Sequence, residues 1–201
     1  MSKIVIIGAG AMGSAFALPC LDNNHDINII GTHLENDFID TLKKNDNLHP
    51  GLNTKIPQEI KIFKFEKFEV LMKSNVDLIV LGISSKGIEW VSDQLINLYK
   101  ESKIPKLLML TKGLSIYNNQ YELLIDKLER LLSHKGINNA DISAVGGPCL
   151  AAGLANRINS SVVIANKDLQ TAKKIADMLN THYYHTSHSN DLNGVEVSAA
   201  I

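Results

Sequence analysis

This sequence has little of several things, and each shortage excludes a class. Its two cysteines, Cys20 and Cys149, lie far apart among small or apolar neighbours, which rules out a disulfide framework and suits a reducing, cytoplasmic setting. There is no excess of charge of either sign: the net charge of -1 leaves no basic field for nucleic acid or an anionic membrane surface. Phosphate recognition would therefore have to come from a local site, and composition points to a small-molecule ligand. Long apolar runs are missing too. The run that begins at Lys3 reaches glycine within a few residues, too short for a signal peptide or a membrane span. What remains is 201 residues, 45% of them apolar, enough to bury a core without staples.

Short β-branched runs alternate with longer helical patterns, which predicts an α/β fold with a mostly parallel, doubly wound sheet. Strands are expected at Lys3 to Ile7, Asp26 to Ile30, Val76 to Leu81, Lys106 to Leu110, Asp141 to Val145 and Ser161 to Ile164. Helices are expected at Ile88 to Tyr99, Gln120 to His134 and Leu169 to Leu179, where apolar residues recur three and four apart. His49 to Pro57, with a Pro-Gly turn, reads as an irregular surface loop.

The strongest motif is Ile4-Val5-Ile6-Ile7-Gly8-Ala9-Gly10-Ala11-Met12-Gly13, a buried-strand pattern entering G-x-G-x-x-G and then a helix. Gly8 permits the turn, Gly10 lets backbone approach a pyrophosphate, and Gly13 lets helix pack on strand. The helix N-terminus then offers free N–H groups and the positive end of its dipole to phosphates. Pro19 is expected to kink or end this helix. An acid closing the second strand would bind the adenosine ribose and favour NAD, but Gly31, Thr32 and His33 follow Ile30 and the first acid is Glu35. The cofactor is thus NADP or NAD, with Thr32 and His33 either tolerating a 2′-phosphate or simply capping the next helix.

Ligands of open α/β sheets bind beyond the carboxyl ends of the strands. That rim would carry Gly82-Ile83-Ser84-Ser85, Thr111-Lys112-Gly113 and Gly146-Gly147-Pro148-Cys149, with Ser84 beside the cofactor. Lys112 is the cation among them. It reads either as a group that orients and activates a substrate oxygen or as a solvated strand end.

The order Gly-Ala-Gly-Ala-Met-Gly, His49-Pro50-Gly51 with Ile56-Pro57, Thr111-Lys112-Gly113-Leu114, Gly147-Pro148-Cys149-Leu150-Ala151 and Gly194-Val195-Glu196 resembles glycerol-3-phosphate dehydrogenase over essentially the whole chain. The resemblance implies reversible hydride transfer between NAD(P)H and dihydroxyacetone phosphate, giving sn-glycerol 3-phosphate, the backbone precursor of glycerolipids. It implies a phosphorylated small-molecule substrate. It further implies that Ala11, Met12, Thr32, Lys112 and Ala151 follow the cofactor, that Lys112, Gly147 and Cys149 approach the substrate, and that Lys112 is catalytic.

Two departures stand out: Gly82-Ile83-Ser84 replaces valine-proline-serine, and Gly153 replaces a glutamate. By the same resemblance, residues 1–201 form an NAD(P)-binding Rossmann domain, and 190–201 begin a helix leading into a helical substrate domain. The principal catalytic lysine is expected just beyond Ile201, so these residues by themselves would turn over little. An uncovered face of Val195, Val197, Ala199 and Ile201 predicts homodimerisation or poor solubility.

Other features read as structural. His182, His185 and His188 lack a cysteine or carboxylate to complete a metal site, so no metal is expected. Cys149 has no recognisable base nearby, and Trp90 and Phe16 read as core. Two rivals share the glycine loop: a reductase of the β-hydroxyacid or ketopantoate type, and a non-catalytic dinucleotide-binding module.

Overall fold

The computed structural model describes residues 1–100 and 103–200. Chain order begins with β1 (Lys3–Ile7), α1 (Ala11–Asp22), β2 (Asp26–Ile30), α2 (Asn36–Lys44), β3 (Leu48–His49), β4 (Thr54–Lys55) and β5 (Lys61–Phe63). It continues through α3 (Phe68–Met72), β6 (Leu78–Leu81), α4 (Ile88–Tyr99), β7 (Lys106–Met109), β8 (Leu114–Tyr117), β9 (Gln120–Leu123) and α5 (Leu124–Ser133). The last elements are β10 (Ile142–Gly146), α6 (Ala151–Ala155), β11 (Ser160–Ala165), α7 (Leu169–Leu179), β12 (Tyr184–Ser189) and α8 (Leu192–Ala200).

Eight strands form one sheet in the order β12-β11-β10-β7-β6-β1-β2-β5, and every pairing is parallel except β10 with β11. Alternation along β1 shows how the sheet divides the core. Ile4 and Ile6 point to a cluster with α1, α2 and α7, whereas Val5 and Ile7 point to one with α3, α4 and α5. All four are fully buried, which is why the strand reads as an unbroken apolar run. The chain winds outward from β1 through β2 to β5, then returns to β6 on the other side. The switch point therefore lies between β1 and β6, where an open α/β sheet leaves a crevice.

The six expected strands form, with ends shifted by at most two residues. Three expectations need correction. Gln120–Leu123 is a strand, because Asn118 and Asn119, both at positive φ (50° and 60°), make the tight turn that pairs it with β8. The helix starts only at Leu124. The segment 49–57 carries a short ladder, and His49, Leu52 and Ile56 are buried, so it packs rather than lying loose on the surface. Finally, α1 runs through Pro19 to Asp22: the proline sits in the last turn, where Asn23 Nδ2 donates to its carbonyl at 3.1 Å. Strands β5 and β12 were not evident in the sequence. The first is very short, and the second, an edge strand, has no apolar alternation in its sequence Tyr-His-Thr-Ser-His-Ser.

Candidate functional site: the glycine turn and the strand rim

At the switch point, Gly8 adopts φ +108° and any Cβ there would strike the carbonyl of Gly82 at the end of β6. A Cβ on Gly13 would likewise strike the carbonyl of Gly8, so α1 seats directly on the β1 turn. Nothing in the first turn of α1 blocks its end: Gly10 provides no side-chain cap and the turn holds no acid. Ala11, Met12 and Gly13 thus present the orphan N–H groups of a helix start, at the positive end of its dipole. A turn that admits no Cβ at Gly8 or Gly13, followed by uncapped N–H groups, fits a pyrophosphate.

Next to it opens a cleft of about 610 Å³ walled by Gly8, Gly10, Thr32, Glu35, Ser84 and Trp90, among others. Trp90, expected in the core, is half-buried and forms part of this wall. His33 lies over it with ring centroids 4.9 Å apart, and Phe65 packs at 5.4 Å. Phe16 is core, as its helical pattern predicts.

Glu35 is the residue that sequence reasoning passed over. Its backbone N–H closes a turn on the Thr32 carbonyl at 3.0 Å, which folds the side chain back over the end of β2. The carboxylate then accepts from Thr32 N–H at 2.7 Å and from Ala9 N–H at 3.1 Å. The signal was present as the first acid after β2, but the turn that returns it to the strand end was not.

Behind the glycine turn, His49 Nε2 donates to the Ala9 carbonyl at 3.2 Å, which also accepts from Ser14 Oγ at 3.0 Å. A carbonyl only accepts, so the ring proton sits on Nε2. His49 Nδ1 is then a buried acceptor with no partner. Burial holds the imidazole pKa below its ordinary 6.5, against the opposing pull of the Ala9 carbonyl.

The remaining rim residues gather further along the sheet, at β7 and β10. Thr111 Oγ1 donates to the Ile83 carbonyl at 2.6 Å, which ties the β6 and β7 loops together. Lys112 is exposed, and its Nζ donates to the Gly147 carbonyl at 2.7 Å. Cys149 is buried, and burial pushes its thiol pKa up; Ser160 and the Lys112 charge only partly oppose this. Such a thiol is not an activated nucleophile. Ala151 opens α6, half-buried against α1's side of the core. The structure thus splits the expected site residues into two groups on one rim. Gly8, Gly10, Thr32 and Ser84 line the cleft, with Gly13 beneath the glycine turn and Ala11 and Met12 at the start of α1. Lys112 and Gly147 meet at β7 and β10, with Cys149 and Ala151 behind them.

At the end of the described chain, Val195 and Ala199 face Gly146 of β10. They are therefore not on one open face with Val197, which is 42% exposed. Helical spacing separates them, since positions four apart share a side. Ile201 lies outside the described residues. Glu196 is buried, and its Oε2 accepts from Ile125 N–H at 3.4 Å. Among the described residues no group of His, Cys, Asp and Glu is arranged to hold a metal ion, and no helix is long and apolar enough to cross a membrane.

A family model described as NAD-dependent glycerol-3-phosphate dehydrogenase N-terminus matches residues 3–172. The chain is 27% identical over 198 residues to an NADP(+)-dependent glycerol-3-phosphate dehydrogenase of Archaeoglobus fulgidus, covering 98% of this chain and 56% of that protein. It is 28% identical over 204 residues to a glycerol-3-phosphate dehydrogenase [NAD(P)+] of Mesoplasma florum, covering 100% of this chain and 58% of that one. The chain therefore spans a little over half the length of these relatives. In fold it is similar to the crystal structure of glycerol-3-phosphate dehydrogenase from Coxiella burnetii, with a TM-score of 0.82 at 20% identity, over 98% of this chain and 57% of that one.

Proposed function

This chain belongs to the NAD-dependent glycerol-3-phosphate dehydrogenase N-terminal family, and from that premise we propose that residues 1–201 form the dinucleotide-binding part of such an enzyme. The reaction is reversible hydride transfer between NAD(P)H and dihydroxyacetone phosphate, which yields sn-glycerol 3-phosphate for glycerolipid synthesis. The observation that carries the reading is the glycine turn at the switch point, where the first N–H groups of α1 carry no side-chain cap.

When bound, the nicotinamide supplies or accepts the hydride. The chain's own residues do the rest. N–H groups of Ala11, Met12 and Gly13 hold the pyrophosphate, and Thr32, Ser84 and Glu35 bound the cleft beside it. Lys112 lies on the rim toward β10, held by the Gly147 carbonyl. Its ammonium would orient the substrate phosphate or polarise the carbonyl oxygen and so favour the charge that develops there. Helix α8 (Leu192–Ala200) leads toward the region where the relatives continue beyond this match. Residues 1–201 alone would bind nucleotide yet turn over little, since the reaction also needs groups from that region.

Calorimetric titration of the folded chain with NADH and NADPH tests this directly. Saturable binding of at least one nucleotide is expected. A chain folded by circular dichroism that binds neither would refute the reading.

A further inference from the structure

We propose that His49 is a positioning residue of the glycine turn: its imidazole holds the Ala9 carbonyl behind the turn and so fixes the peptide that faces the dinucleotide pyrophosphate. The inference rests on the dinucleotide reading above and adds to it a residue from outside the glycine motif, which acts through the Ala9 carbonyl rather than on the nucleotide.

Ala9 lies between two glycines. Gly8 takes φ +108° and Gly10 has no Cβ, so rotation on either side meets little resistance and the Ala9–Gly10 peptide has to be held from outside. Two side chains hold it. Ser14 Oγ donates to the Ala9 carbonyl at 3.0 Å, but Ser14 belongs to α1 and moves with the helix that the turn enters. His49 Nε2 donates to the same oxygen at 3.2 Å from the β3–β4 ladder, 40 residues along the chain. It is therefore His49 that ties the carbonyl to a separate part of the fold.

The ring itself is held in place. His49 pairs with Thr54 in the ladder, Phe38 of α2 meets the imidazole edge-on with centroids 5.2 Å apart, and a Cβ on Gly51 would come 3.4 Å from its Cε1. The residue is 3% exposed, so the ring cannot swing out without opening these contacts. Its other nitrogen, Nδ1, is buried without a partner, a cost that an apolar side chain would not carry. What an imidazole adds at this position is the Nε2 donor. The C=O and N–H of a trans peptide point to opposite sides, so an oxygen held behind the turn sends the Gly10 N–H the other way, and Gly10 lines the cleft. A reversed peptide would set a carbonyl oxygen toward the phosphates and repel them.

The test measures dissociation constants for NADH and NADPH by calorimetry at pH 8, where the imidazole is neutral, with the wild-type chain, His49→Phe and His49→Gln. Phenylalanine keeps a ring and loses the donor; glutamine keeps a donor near the place of Nε2. Circular dichroism at the same temperature checks that each variant is folded. His49→Phe is expected to bind both nucleotides about five- to tenfold more weakly, the value of one buried hydrogen bond, and His49→Gln to recover most of the loss. A folded His49→Phe that binds as tightly as wild type would overturn the proposal. So would a glutamine variant no better than phenylalanine, which would make ring packing the cause, or weakening of one nucleotide alone, because the pyrophosphate is common to both. A second measurement needs no variant: in wild type the Nε2 proton resonance of His49 should shift when the tighter-binding nucleotide is added, and an unmoved resonance would refute the coupling. If folded wild type binds neither nucleotide, the dinucleotide reading falls first, a result distinct from these.

Discussion

Replacing Glu196 by glutamine should stabilise the fold at pH 8 and leave it almost unchanged near pH 4. The carboxyl lies between α8 and the start of α5, 5% exposed, with a single long hydrogen bond to Ile125 N–H. Burial pushes its pKa from 4.5 up to about 7; Ile125 N–H pulls it down, and the like charges of Asp126 and Glu129 on α5 add to the rise. A folded-state pKa above the unfolded value means the folded form binds the proton more tightly. The associated stability is fully present below about 4.5 and is lost as pH rises through about 7.

The gap between those values, at ~1.4 kcal/mol per tenfold change in proton affinity, sets a ceiling of about 3 kcal/mol. Solvent reaching the carboxylate reduces this to roughly 1–2 kcal/mol. Glutamine is uncharged at every pH and still offers an oxygen to Ile125, so it escapes the loss. Urea unfolding of both forms from pH 4 to 8.5 should give curves that coincide in acid and separate by about that amount in base. Coincident curves throughout would mean the carboxyl titrates in water and α8 does not dock on α5 as described. A glutamine variant weaker at pH 8 would mean that the charged form is the preferred partner of the α5 N-terminus.

Other perturbations address the glycine turn and the family departures. Gly153 lies inside α6, where an added Cβ would meet only Ile158 Cβ at 3.9 Å. Gly153→Ala should therefore stabilise by about 0.5–1 kcal/mol, and an unchanged or lower thermal midpoint would show that the position needs glycine. For His49 the folded pKa lies below the ordinary 6.5, so wild type should lose stability as pH falls below 6.5 and through that lower value. His49→Phe should flatten that part of the pH profile and cost about 1 kcal/mol at pH 8, since the Ala9 carbonyl keeps Ser14 Oγ but loses the imidazole. Denaturation midpoints between pH 5 and 8 would check both effects.

The departure at Gly82-Ile83-Ser84 has a structural reading as well. Gly82 packs against the α1 backbone, its added Cβ falling 2.9 Å from Gly13 Cα, so the loop that replaces valine-proline-serine still closes the cradle. The family-like Gly194-Val195-Glu196 is likewise accounted for by packing. Gly194 N–H donates to Asp191 Oδ1 at 2.9 Å at the start of α8, Val195 meets β10, and Glu196 reaches α5.

What the sequence alone determined is the part governed by local rules. Ile4 to Ile7 is apolar on both faces and must be a covered parallel strand, and the glycines that follow allow one kind of strand-to-helix turn. Those constraints act within a few residues, so the α/β class, the cradle and the position of Lys112 on the rim could be read without coordinates. The tertiary structure decided whatever depends on groups meeting from separate segments. Glu35 faces the β1 turn because a reverse turn returns it to the end of β2. His49 is buried because its segment folds against Ala9, Trp90 becomes a cleft wall because His33 and Phe65 reach it, and Glu196 is perturbed because α8 lies on α5. In each case hydrophobic periodicity gives only the element's direction. The partner, and with it the burial and charge that set the chemistry, comes from the packing of the whole sheet.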